Sequence, residues 1–501
     1  MRKLWFLTAF LPLTLVAFVL FLLKKSFFDF VPTNGDGLGY WAQIAGFSKA
    51  GFHTGYYCWG ELVAPMGFFR FSVHGPGYTF FLGTIAKVFG GWHWYSPPLY
   101  NLGFITIALL VYLFSGLTKE KIWFFPILVS STGTLFLFTL SPLQESFHAS
   151  FAILVSTWIV LTLKNTDKAY LRFGVIVLIC ALSIVRPTWA FLLFPVVTIY
   201  RTGAPSSKKS LNYFIIISSL FAPLLFFYIW RLISAPLAPG YSPFTWITSE
   251  LTYPLHWSGF RNIGLRLNEF SKRLVDYSKI KNLLLDYAMV WQSICLFVVC
   301  LINFLSSAVR DGFRKNMSWL FLIIWILGLN LFNAIYVYGV DASAQARLLL
   351  VPFLMSIVFI IGFCKKWPVI FVSGIIFSNL LVVYFYAPQM IESIAAVFPV
   401  HTERLNRLGR EFAAAIPFDQ NKDPWCNTLL VSNYNADVVA VPAGIGLAWT
   451  PHSEWLHHPP KAGFALVDSG VYEQLQQIGK FKIIAVTEAG EIYKNLSADC
   501  K

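Results

Sequence analysis

Charge is what this sequence has least of. Only 12% of its 501 residues are Asp, Glu, Lys or Arg, and 57% are hydrophobic, whereas an ordinary soluble domain is about 25% charged. That excludes a single soluble domain. Acids are scarcer than bases, 24 against 38, and before Glu120 the only carboxylates are Asp29, Asp36 and Glu61. Cysteine is sparse too. The seven present form no CxxC and no His/Cys ligand spacing, which excludes a structural zinc site. No P-loop or Rossmann glycine pattern is present, so no nucleotide-binding element is legible. Internal repeats and low-complexity linkers are also lacking.

What is there instead is a succession of apolar runs, many of them about 18–21 residues long, the signature of a polytopic membrane protein. Residues 5–23 follow Met1-Arg2-Lys3 with no small-residue cleavage pattern behind them, and read as a retained first span. Further spans are expected at 98–117, 122–140, 149–163, 171–185, 187–200, 212–232, 285–305, 317–337, 348–364 and 368–386, making about eleven. The short loops that then face the cytoplasm carry Lys119/Lys121, Lys164/Lys168, Arg201/Lys208/Lys209, Arg310/Arg314/Lys315 and Lys365/Lys366. This is the positive-inside pattern, with the N-terminus cytoplasmic. It also accounts for the net charge of +14, so no nucleic-acid partner is inferred. The run 76–90 contains Lys87 and is about 15 residues long. Counted as a span it would invert every later loop, so it reads as a juxtamembrane helix.

After Ala387 the composition changes. Residues 401–416 predict an amphipathic helix, 428–432, 438–448, 463–468 and 482–493 predict strands, and 471–479 a second helix. The chain therefore divides into a transmembrane domain, 1–390, with a long outer loop at 24–97, and a small α/β domain, 391–501, on the extracytoplasmic side. Cys180, Cys295, Cys300 and Cys364 lie in or beside spans and read as packing residues. Cys426 and Cys500 could form a disulfide in an oxidising compartment.

The scarce charges select the candidate site. Asp36 sits between Gly35 and Gly37 where the first span leaves the bilayer. An acid there can act as a base toward a hydroxyl or amine; Asn-Gly-Asp-Gly is equally a turn signal. Glu145 and His148, in the outer turn Ser141–His148, are three apart and would share a helix face. Arg186, before Pro187, and Arg347, opening a late span, can snorkel to headgroups or grip a phosphate. His74, beside Gly75-Pro76, is a further candidate; Tyr40 and Trp41 suit an interfacial aromatic belt.

The order of these pieces resembles a known family. A first span precedes a long outer loop with Gly35-Asp36-Gly37 and Tyr40, and His74-Gly75-Pro76-Gly77-Tyr78 opens a short helix. An outer Ser-Pro turn with an acid, Arg186-Pro187-Thr188, and Ala346-Arg347-Leu348-Leu349-Leu350-Val351-Pro352 complete the series. This layout, over residues 1–390, is similar to the GT-C superfamily of integral membrane glycosyltransferases, in particular the protein O-mannosyltransferases and the lipid A aminoarabinose transferases. The resemblance implies transfer of a sugar from a polyprenyl-phosphate donor, at the outer face of a bacterial inner or plasma membrane, to a lipid, glycan or protein acceptor. It implies catalytic roles for Asp36 and Glu145, and substrate binding by Tyr40, His74, Tyr78, His148, Arg186 and Arg347. Gly37 stands where many members have a second acid, and the Ser-Pro turn reaches Glu145 sooner than in many relatives. The first departure weighs against a metal. The sequence alone leaves open a transporter or flippase of a lipid-linked glycan and a non-catalytic membrane assembly protein.

Overall fold

The computed structural model describes residues 2–32, 35–59, 76–117, 124–164, 169–201, 209–233, 288–311, 318–334, 342–363, 368–398, 402–432, 436–449, 462–467 and 469–496. A 3-10 segment, Arg2–Phe10, leads into α1 (Leu11–Leu22), whose first turn holds Pro12 where the missing N–H costs nothing. The segment after α1 contributes α2 (Gly35–Ala50), strand β1 (Cys58–Trp59) and α3 (Gly77–Val88). Then come α4 (Ser96–Phe114), α5 (Phe124–Ser131), α6 (Gly133–Thr139), α7 (Glu145–Lys164), α8 (Ala169–Val185) and α9 (Leu193–Arg201). The bundle continues with α10 (Lys209–Ile233), α11 (Ala288–Asp311), α12 (Ser318–Asn333), α13 (Ala342–Phe363) and α14 (Pro368–Ala396).

Among the described residues, six segments are long and apolar enough to cross a membrane: Ser96–Phe114, Glu145–Lys164, Leu211–Trp230, Ala288–Ser306, Ala346–Phe363 and Ile370–Ala396. Phe6–Leu22, Ala169–Val185 and Ser318–Asn333 are apolar but shorter. Two expected spans are interrupted. The run 122–140 breaks at Thr132, which is extended (ψ 96°) between α5 and α6. The run 187–200 begins as a 3-10 turn, Pro187–Leu192, before α9. The twelve residues of α3 would reach only about 18 Å, well short of a hydrocarbon core of about 30 Å. The break at Thr132 frees backbone and hydroxyl groups, and neighbouring helices supply partners. Asn379 donates toward the hydroxyls of Ser131 and Thr132 (3.4 and 3.3 Å), while its carbonyl oxygen accepts from Gln292 (2.9 Å).

Helix α13 is the axis of the bundle. Its Leu349, Leu350, Phe353 and Phe359 are buried, and the helix packs along α7. A Cβ at Gly362 would come within 2.8 Å of Val160 Cγ1, so glycine sets this close approach. Within lipid such contact, rather than exclusion of water, holds helices together. By contrast α10 exposes Leu211, Tyr213, Phe214, Ile217 and Phe221, the composition of a lipid-facing surface.

The last part of the chain forms α15 (Thr402–Ala415), β2 (Thr428–Val431), β3 (Gly446–Trp449), β4 (Phe464–Val467), α16 (Tyr472–Ile478), β5 (Phe481–Thr487) and β6 (Gly490–Asn495). The sheet order is β1-β3-β2-β4-β6-β5, parallel from β1 to β4 and closed by the β5–β6 hairpin. Alternation along β2 sends Leu429 and Val431 into the main core, with Leu405, Leu408 and Phe412 of α15, and Leu430 into a smaller cluster with Leu475 of α16. Two expected strands are corrected here. The run 438–448 is a 3-10 turn, Ala436–Ala440, then Pro442, before β3 begins at Gly446. The run 482–493 is a hairpin that turns at Gly490 (φ 134°). Strand β1 lies between α2 and α3, yet pairs with β3, Cys58 opposite Ala448. Cys426 is disulfide-bonded, while Cys180, Cys295 and Cys300 are in no disulfide; Cys364 and Cys500 lie outside the described residues.

Candidate active site

Asp36 is not in a turn but in the first turn of α2, where the helix N-terminus favours an anion. Gly37 has a packing reason: a Cβ there would lie 3.0 Å from Pro142 Cγ, so the Ser-Pro turn rests on the start of α2. That turn is held from the side by Asn101, whose amide donates to the Ser141 carbonyl (2.8 Å). Glu145 follows as the first residue of α7 and is almost wholly buried, with 2% of its side chain exposed.

Arg347, on the second turn of α13, reaches both acids. Its Nε donates to Glu145 Oε1 at 2.8 Å and its Nη1 to Asp36 Oδ2 at 3.3 Å. Three of the few charged residues, from stretches 109 to 311 positions apart, thus meet at one point. The second oxygen of Glu145, Oε2, is buried with no hydrogen-bond partner among the described residues. A buried carboxylate oxygen left so is costly.

Tyr40 and Trp41 do not form an interfacial belt. Both are buried, and Trp41 donates its indole N–H to the His93 carbonyl at 3.1 Å. The helical pitch that buries Leu38, Tyr40 and Trp41 together places Tyr40 next to the acids. Burial, then the charges of Glu145 and Asp36, push its phenol well above the ordinary tyrosine range. Tyr40 meets Tyr78 edge to face (5.5 Å between centroids), and Tyr78 meets Phe147 likewise (5.4 Å). The glycine before Tyr78 is required, because a Cβ at Gly77 would fall 2.6 Å from Val185 Cα. Residue 77 is thereby fixed against the end of α8, next to Arg186.

His148 lies one turn inside Glu145. Trp189 donates its indole N–H to His148 Nδ1 (3.0 Å), which leaves the ring proton on Nε2, facing Gln144 Oε1 at 3.2 Å. Both ring nitrogens are occupied, so His148 braces the turn rather than pointing a free nitrogen at a ligand. Arg186 lines a small, open cleft with Thr188, Trp189, Asn330, Leu348 and Met355. His74 lies outside the described residues. Sequence reasoning missed Asn101, Gln144 and Trp189; Gln144 immediately precedes Glu145 and Trp189 is three residues after Arg186, so those two stood beside residues already singled out, whereas Asn101 did not.

Among the described residues no three His, Cys, Asp or Glu side chains gather as metal ligands. Arg347 already faces both carboxylates, so the pair fits a guanidinium better than a divalent ion. The arrangement can hold an anion against Arg347 while an acid stands beside it to take a proton.

No protein-family model matches the chain, and no curated protein does. Among solved structures it is similar to ArnT from Cupriavidus metallidurans bound to undecaprenyl phosphate, at 9% identity and a TM-score of 0.46, with 98% of each chain covered. The apo state of the same protein is similar at 10% identity and a TM-score of 0.38, again with 98% of each chain covered. That likeness is too loose to assign a role to any side chain, and the function rests on this chain's own residues.

Proposed function

We propose that this protein is an integral membrane glycosyltransferase that moves a sugar from a polyprenyl-phosphate-linked donor to a lipid, glycan or protein acceptor on the extracytoplasmic face. The observation that carries the reading is Arg347 spanning Asp36 and Glu145 at the outer end of the bundle. A lipid-phosphate leaving group needs a cation where its charge grows, and the acceptor needs a base within reach of the same point. Arg347 serves the first need, with Arg186 at the adjoining cleft, whose apolar wall of Leu348 and Met355 suits a prenyl chain. Asp36 serves the second: it is the more exposed acid, 38% against 2% for Glu145, and takes the acceptor proton. Glu145 orients Arg347 and offers Oε2, which has no hydrogen-bond partner among the described residues, to a hydroxyl of the donor. Attack opposite the phosphate would invert the anomeric centre. The bonded Cys426 supports placing the last domain in an oxidising compartment, and with it the N-terminus in the cytoplasm.

The test is release of polyprenyl phosphate from sugar-linked donors by membranes containing wild type or Asp36→Asn at matched protein level. The expected result is a loss of about 10²-fold or more in the variant. Equal rates would remove Asp36 as the base.

A further inference from the structure

The last domain does more than decorate the bundle, because the first outer loop is built into its sheet. After α2 the chain turns at Gly51 (φ 57°) and runs beside β3. Gly55 N–H donates to the Gly444 carbonyl (2.9 Å), and Tyr56 N–H to the Thr428 hydroxyl (2.9 Å). The Tyr56 ring stacks on Trp425 at 3.7 Å. A Cβ at Gly446 would lie 2.3 Å from the Gly55 carbonyl carbon, so the two backbones touch.

Tyr57 then reaches back. Its hydroxyl lies 3.2 Å from the Ala42 carbonyl in the middle of α2 and 3.2 Å from the Ile445 carbonyl beside β3. The Thr54 hydroxyl, buried next to it, is 3.3 Å from the Tyr57 oxygen and 3.2 Å from the Gly444 carbonyl. Room for the Tyr57 hydroxyl exists only because residue 46 is glycine: a Cβ there would sit 2.1 Å from it. A helix carbonyl in mid-helix is already engaged along the helix, so a second bond from outside fixes rotation and height more than it completes hydrogen bonding. Asp36 and Tyr40 sit on the same rigid rod, Asp36 six residues or about 9 Å above Ala42.

We infer that the last domain, through Tyr57 seated between the Ala42 and Ile445 carbonyls, is the element that sets the position of Asp36 opposite Arg347, with Tyr57 as a positioning residue. This rests on the transferase reading for its catalytic consequence only. A loop that merely packed would need no hydroxyl on Tyr57 and no glycine at 46.

The experiment is hydrogen–deuterium exchange by mass spectrometry on purified full-length wild type, Tyr57→Phe and Gly46→Ala, with donor consumption measured on the same samples. In both variants the amides of 38–46 should exchange about ten-fold faster while β2 and β4 keep their protection. Donor kcat should fall about ten-fold with donor KM unchanged, because the acid moves and the phosphate site does not. Unchanged exchange in α2, or exchange rising equally throughout the sheet, overturns the positioning role. Loosened α2 in a protein that consumes no donor even as wild type supports the positioning role and counts against the transferase reading.

Discussion

Two arginines in this molecule each hold two acids, and they do it differently. Arg404 lays Nη1 and Nη2 on both oxygens of Asp437, 2.8 and 3.0 Å, and its Nε on Glu488 at 3.1 Å. Arg407 joins from the next turn, also on Glu488. The cluster faces water, with 41% of the Arg404 side chain exposed, and Asp437, through hydrogen bonds and charge, raises the Arg404 pKa. Arg347 gives a single N–H to each acid, and one oxygen of Glu145 is buried without a hydrogen-bond partner among the described residues. The first arrangement is saturated and fastens α15 to the 3-10 turn and the β5–β6 hairpin. The second is incomplete in a place where incompleteness is expensive, which is what a site waiting for a ligand requires.

Substitutions can break this contrast at either end. The largest effect is expected from Arg347→Ala. It strands the buried Glu145, costing about 3–5 kcal/mol of stability, and should abolish donor consumption. Arg347→Lys separates the two effects: the charge remains, but one ammonium cannot bridge both acids. Its expression should approach wild type while donor turnover falls more than about ten-fold, and normal turnover would refute the need for the fork. Glu145→Gln keeps the volume but withdraws the charge that orients Arg347. A loss of about ten-fold in donor turnover is expected, with a thermal midpoint in detergent close to wild type. Smallest is Arg404→Ala, a change within about 1 kcal/mol that high salt should diminish further. Donor turnover by Arg404→Ala should match wild type; a collapse would show the two clusters to be coupled and end the comparison.

Much of this could be read before any coordinates. Long apolar runs are self-describing, and six of them emerge as helices able to cross a bilayer. Asp36, Glu145 and Arg347 stood out in the sequence because charges are so rare here that each needs a reason. Their convergence was not, since nothing in three separated stretches encodes a shared point in space. Tyr40 was misread because an aromatic near a membrane boundary suits a belt as well as a core, and only the packing of α2 decides. Strand β1 has two residues, too few to show alternation. The β5–β6 hairpin was hidden by a run of strand-forming residues on both sides of Gly490, and the run at 438–448 by Val438, Val439 and Val441 preceding the Pro442 and Gly444 that interrupt it.

The pairing of Cys58 with Ala448 also has a consequence for the order of events during synthesis. The two residues are 390 positions apart, a separation of about 20–80 s at ordinary elongation rates. Throughout that interval the outer loop is already made while its sheet partner does not yet exist. The parallel register cannot form until β3 has been made, and joining such distant segments is slow. On the positioning role inferred above, Asp36 is therefore among the first residues made and among the last set in place.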